Sequence, residues 1–196
     1  YSLDYVHPNG LTTIQIMDDI VRIAADLGMY VIIDYHPVLG HDPGDARLWW
    51  SRIAPRYADH THVTYELINE PWPSPDYPGD LVTFQEDLYT QFRNVAPNTH
   101  IIAWSFANTR NDIGVPVGQA TGINYGNASV GFHPYEWDTG LGLSGNKQMI
   151  TTLQQSHPVI ATEIGADRKA RVRDMEEMGL SWIGLDNIRG LPGLED

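Results

Sequence analysis

The chain has 196 residues, enough for one domain with a sizeable core and too few for two ordinary ones. Its 25 acidic residues against 12 basic ones give a net charge of −13, which argues against binding nucleic acid, because phosphates must be met by clustered cations, and leaves a neutral polysaccharide unopposed. There is no cysteine for a disulfide framework, no apolar run near the roughly 20 residues of a membrane span, and no basic and apolar leader in the opening Tyr-Ser-Leu-Asp-Tyr.

Ile14, Met17, Val21, Ala24 and Leu27 recur at three- and four-residue steps, which predicts a helix capped by Thr12 or Thr13 and ended by Gly28. The run Met29-Tyr30-Val31-Ile32-Ile33 follows at once. A short β-branched run without alternation reads as a strand buried on both faces, as in parallel sheets. The pairing then repeats. A helix over 45–59 carries Leu48, Trp49, Arg52 and Ile53, and a strand spans 62–68. Leu81, Phe84, Leu88, Phe92 and Val95 place a helix over 79–95, ahead of a strand at 100–105. A Gly-rich stretch over 111–127 leads to a strand at 128–133. A helix around 146–156, a strand at 158–162, a charged helix at 167–178 and a last strand near 181–185 complete the chain.

Strands alternating with helices at this spacing imply βα units and one parallel sheet. The expected fold is α/β, a TIM-barrel-like (β/α) parallel barrel truncated to about six strands, since a closed barrel takes eight strands and about 250 residues. No composition shift marks a linker, so residues 1–196 read as one catalytic domain.

Polar and ionisable residues gather at the C-terminal ends of successive strands: Asp34 and His36, Asn69 and Glu70, His133 and Tyr135, and Glu163. A parallel barrel builds its active site at that rim. Any one of these residues is equally well a satisfied loop polar group; four strands doing the same thing point to a site.

The stretch Tyr65-Glu66-Leu67-Ile68-Asn69-Glu70-Pro71-Trp72 resembles the fourth-strand motif of clan A glycoside hydrolases, specifically family 5, the cellulases and mannanases. The segment Pro158-Val159-Ile160-Ala161-Thr162-Glu163-Ile164-Gly165 resembles that family's nucleophile strand. His133-Pro134-Tyr135 is similar to its sixth-strand His-x-Tyr, and Ile33-Asp34-Tyr35-His36 to its third-strand His motif. The resemblance covers residues 5 to 186 in order and spacing.

It implies a retaining, endo-acting β-1,4-glucanase with Glu70 as acid/base, Glu163 as nucleophile, and no cofactor or metal. Tyr135 would donate to Glu163, and Asn69 would bind the substrate 2-hydroxyl. His36 and His133 would contact the −1 sugar or orient its neighbours. Trp72, Trp104 and Trp137 lie where rings could stack on sugar faces. Retention needs two carboxyls about 5–5.5 Å apart, one attacking and one protonating the leaving oxygen. Glu70 must then be held protonated, by burial or a neighbouring negative charge, and Glu163 ionised. Glu66 reads as a buried, hydrogen-bonded structural group. Trp49 and Trp50 read as packing, and His36, His41 and Asp42 fit no zinc spacing.

Two βα units with which the family begins have no counterpart here, and with them goes an Arg that sits near the nucleophile. The eighth-strand platform Trp is also unmatched, Leu185 standing at its place. Strand edges at 29–34 and 181–185 are thereby expected to be exposed. Either copies self-associate there or the six strands close into a smaller barrel. Besides the glucanase, the sequence leaves open a mannanase or another β-glucanase, a non-catalytic carbohydrate-binding remnant, and an interaction module using the strand edges. An enzyme of this class would act on extracellular polysaccharide.

Overall fold

Thr12 starts the first helix, α1 (Thr13–Asp26), through a reciprocal capping box: its hydroxyl accepts from the Gln15 amide, and the Gln15 side chain accepts from the Thr12 amide. The helix stops at Gly28, whose φ of +67° suits a residue without Cβ. The computed structural model describes residues 2–37, 42–71, 79–107, 113–135, 142–164 and 168–184. Asp42 caps α2 (Pro43–Ile53), accepting from the Gly44 and Asp45 amides ahead of a helix whose first residue is proline. The remaining helices are α3 (Gly79–Val95), α4 (Gly114–Gln119), α5 (Gly142–Gln154) and α6 (Arg168–Glu177).

The strands are β1 (Val31–Asp34), β2 (Val63–Glu66), β3 (Ile101–Phe106), β4 (Ala128–Phe132), β5 (Val159–Ile164) and β6 (Ser181–Gly184). They form one parallel sheet whose spatial order is the chain order, with helices between successive strands. The result is a half-barrel. β1 and β6 each have a single strand neighbour among the described residues, so the expectation of a smaller closed barrel is overturned. Closure requires the last strand to pair with the first, and β1 and β6 are not paired.

The core lies between sheet and helices. Trp50 packs against Phe92 at 4.4 Å and Tyr65 at 5.3 Å, and its indole N–H donates to the Leu67 carbonyl at 2.7 Å. Trp49 is half-buried beside Tyr35, so both tryptophans of α2 serve packing, as expected. Trp104 is a correction. It is fully buried, stacked on Phe106 and hydrogen-bonded through Nε1 to the Tyr125 hydroxyl, so its ring belongs to the core and offers no face to a sugar. Leu27, Leu48 and Val95, counted in the apolar rows, face solvent. The Gly-rich stretch, for which no element was expected, holds α4 and a 3-10 turn at Tyr125–Asn127. Among the described residues no helix is long and apolar enough to cross a membrane.

Candidate active site

Backbone pairing continues past the formal strand ends and carries the chemistry to one rim. The Leu67 amide donates to Ile102 and the Asn69 amide to Tyr35, so β2 delivers Asn69 and Glu70 to the C-terminal edge of the sheet. The His133 amide donates to Phe106, extending β4 in the same way. Glu70 sits at φ +45°, the one non-glycine residue with positive φ among those described. That conformation costs on the order of 1–3 kcal/mol and concentrates at functional sites.

Glu70, His133 and Glu163, expected from sequence to share a site, converge. One oxygen of each carboxylate and one imidazole nitrogen all lie within 4.8 Å of one another. His133 is buried; its Nδ1 meets Glu70 Oε1 at 2.6 Å and its Nε2 meets the Ser105 hydroxyl at 3.1 Å. The Tyr135 hydroxyl donates to Glu163 Oε1, and Arg171 on α6 donates to the Tyr135 carbonyl at 2.6 Å. Two carboxylates and an imidazole are also the donor set a divalent cation would use, so these three are the residues that could hold one.

A second chain of contacts fixes Asn69. Asp34 Oδ2 lies 2.8 Å from His36 Nδ1, and His36 Nε2 lies 3.2 Å from the Asn69 amide nitrogen. An amide nitrogen only donates, so Nε2 accepts and Nδ1–H donates to Asp34, which selects one tautomer of His36. The Asp34 carboxylate raises the His36 pKa.

The charge state of Glu70 is not what its burial alone predicts. Burial does push its carboxyl up, but the hydrogen bond from His133 outweighs it, and the carboxyl is held below its ordinary range. The sequence expectation of a raised Glu70 is therefore reversed in this geometry. The high carboxyl is Glu66, directly beneath the site and 5% exposed, which burial pushes up to about 7, with the Asp34 carboxylate adding to the effect. The Ser105 and Thr162 hydroxyls face Glu66 and favour its charged form, yet neither closes on Oε1, which has no hydrogen-bond partner among the described residues. Glu66 is buried as expected, but only partly hydrogen-bonded. Asp34 stands in the same position, raised chiefly by burial, with Oδ1 unpartnered.

Trp72, Trp137 and His41 fall outside the described residues. Asp42, weighed with His36 and His41 as a metal candidate, is the α2 cap. Ser105 and Arg171 were not foreseen. Ser105 follows a register shift in β3 that hides which face it takes, and Arg171 reads as one of several solvated charges on α6.

The family model "Cellulase (glycosyl hydrolase family 5)" matches residues 2–189. The chain is 27% identical over 176 residues to Endoglucanase E-5 of Thermobifida fusca, a match covering 82% of this chain and 35% of that protein. It is 32% identical over 87 residues to an endoglucanase of Clostridium saccharobutylicum, covering 42% of this chain and 19% of that protein. The chain thus spans about a third or less of these relatives' length. Among solved structures, β-glucanase SdGluc5_26A from Saccharophagus degradans in complex with cellotetraose superposes with a TM-score of 0.72 at 19% identity, over 92% of this chain and 65% of that one. The catalytic domain of Thermobifida fusca endoglucanase Cel5A superposes at 0.67 and 22% identity, over 88% and 61% of the two chains. At these identities the superpositions establish the fold.

Proposed function

Because the chain belongs to glycosyl hydrolase family 5, the cellulase family, we propose that it hydrolyses β-1,4-glucan within the polymer, with retention, using Glu163 as nucleophile and Glu70 as acid/base. The observation that carries this reading is the pair of carboxylates at one rim, with oxygens within 4.8 Å. That gap suits direct attack on the anomeric carbon, whereas inversion leaves roughly 6.5–9.5 Å for an intervening water.

In the first step a Glu163 oxygen bonds to the anomeric carbon as the glycosidic bond breaks, and the Glu70 carboxyl gives its proton to the leaving oxygen. In the second, the Glu70 carboxylate takes a proton from water. That water's oxygen attacks the same carbon and releases Glu163. Tyr135 stabilises the charge on Glu163 between turnovers. Asn69, held by His36, binds the 2-hydroxyl, and His133 orients Glu70. Trp72 and Trp137 follow two of these strand ends in sequence and are assigned to sugar stacking. None of these steps requires a cofactor. A polymeric substrate places the activity outside the cell. Besides the polysaccharide, the reading includes self-association through the two sheet edges; the net charge of −13 supports neither nucleic acid nor an anionic membrane as a partner.

A weakly active or purely carbohydrate-binding chain is the second reading, favoured by the depressed Glu70 carboxyl, which lowers the protonated fraction at neutral pH. Reducing-sugar release from carboxymethyl cellulose, β-glucan, mannan and xylan separates the two. The wild type is expected to prefer the glucans over mannan and xylan, and Glu163→Ala and Glu70→Gln to lose roughly a hundredfold or more. Equal release by all three proteins refutes the mechanism, and polymer binding without release by the wild type selects the binder.

A further inference from the structure

The place of Asn69 and the sense of its amide are fixed by different groups. Its backbone N–H donates to the Tyr35 carbonyl at 2.9 Å, which ties the end of β2 to the end of β1, and the residue is 7% exposed. What this leaves open is a half-turn of the side-chain amide. Its oxygen and its NH2 are nearly equal in size, so packing does not tell one orientation from the other, and only the polarity of a hydrogen-bond partner does.

That partner is His36 Nε2, 3.2 Å from the Asn69 amide nitrogen. The His36 side chain is 54% exposed, so its ring is held chiefly by the hydrogen bonds at its two nitrogens. An imidazole presents either a lone pair or an N–H at Nε2, according to which nitrogen carries the hydrogen. The choice is made at the other nitrogen. Asp34 Oδ2 lies 2.8 Å from Nδ1 and, as a carboxylate oxygen, only accepts. Nδ1 therefore carries the hydrogen, Nε2 keeps the lone pair, and Asn69 turns its NH2 toward His36. One polarity passes from Asp34 through His36 to Asn69.

The Asp34 charge is not placed for stability. Burial disfavours it, the bond from His36 opposes burial only in part, and the carboxyl is left above its ordinary range. Ionisable groups kept in such surroundings concentrate at functional sites.

We propose that Asp34 is a positioning residue for the −1 sugar: through the His36 tautomer it sets which way the Asn69 amide meets the substrate 2-hydroxyl. The assignment rests on the glucanase reading and adds to it a residue that acts through two others. With the tautomer fixed, the amide oxygen and the second amide N–H are presented in one arrangement. With it reversed, donor and acceptor exchange places. Hydrogen bonds to the 2-hydroxyl strengthen toward the transition state, so the effect falls on kcat more than on KM.

The test is a cycle between enzyme and substrate. Asp34→Leu keeps a branched side chain and removes the acceptor, with retained far-UV circular dichroism and thermal transition as the fold control. Release of the aryl group is followed from an aryl β-cellobioside and from its analogue lacking the 2-hydroxyl on the glucose that bears the aryl group. On the first substrate the variant should lose roughly thirtyfold or more in kcat, with KM little changed. On the 2-deoxy analogue wild type and variant should agree within about threefold. Long-range proton–nitrogen correlations of the His36 ring give a second readout that needs no turnover: Nδ1–H in the wild type, and mostly Nε2–H in Asp34→Leu. Equal losses on both substrates, no loss on either, Nε2–H in the wild type, or an unchanged tautomer in the variant overturn the assignment and leave the glucanase reading standing. A wild type that releases nothing from either substrate removes the glucanase reading, and this assignment with it.

Discussion

Gly131 is the residue through which packing and site are most directly coupled, and Gly131→Ala makes the coupling measurable. A Cβ at this position of β4 would lie 2.5 Å from the Trp104 carbonyl oxygen, 2.8 Å from Ile102 Cγ2 and 3.3 Å from Thr162 Oγ1. The isoleucine methyl can swing aside. The carbonyl oxygen is backbone of β3, which pairs Ser105 with Gly131, and β5 pairs Ile160 with Gly131 from the other side. Relief therefore requires the strands to part. Overpacking of a fitted core costs about 1–3 kcal/mol, and a rigid backbone contact belongs at the upper end, so the expected loss is about 3 kcal/mol. Against a total stability of roughly 5–15 kcal/mol this is a large fraction. Urea unfolding should show a lower midpoint with an unchanged slope. Because His133 lies two residues along the same strand, the folded fraction should also lose turnover. A midpoint equivalent to less than about 0.5 kcal/mol of destabilisation would refute the packing argument.

Other expectations follow from the same contacts. Glu66→Gln should stabilise the protein in a pH-dependent way. The folded carboxyl titrates at about 7 instead of its ordinary 4.5, so wild-type stability is fully present below pH 4.5 and declines as pH rises to 7; above that the substitution should gain on the order of 3 kcal/mol, and at pH 4 almost nothing, by urea midpoints at both pH values. His133→Asn removes the principal interaction holding the Glu70 carboxyl down, so on the proposed mechanism Glu70 keeps its proton to higher pH and the alkaline limb of kcat/KM should move upward; an unmoved limb contradicts the assignment. Trp50→Leu removes a fully buried ring and the donor to the Leu67 carbonyl and should cost about 3–5 kcal/mol in chemical denaturation.

The βα rhythm was legible because each element is long or strongly patterned, and the rim residues were legible because a parallel sheet sends every strand's C-terminal end to one side. What escaped had no local signature. α4 contains two glycines and a proline within six residues, so propensity argues against the helix that tertiary contact with α3 supports. Trp104 sits on a strand at whose end a sugar platform is plausible, and only the register shift and its Tyr125 partner show that the ring turns toward the helices. The Glu70 carboxyl was expected to rise because retaining chemistry needs a protonated acid, held so by burial or a neighbouring negative charge. That His133, 63 residues away, would supply the opposing hydrogen bond depends on the pairing of β4. The open sheet edges were anticipated from the two βα units that have no counterpart in this sequence.

A sheet whose spatial order repeats its chain order has a consequence for how the molecule comes together. Every strand finds its partner one helix away, so loop closure is brief at each step and no segment must wait for a distant one. Stability in such an array is shared between nearest neighbours, much as in a solenoid. Amide exchange should then be graded across the half-barrel, slowest in β3 and β4 and fastest at β1 and β6, with the rim groups of the middle strands outlasting those of the flanks.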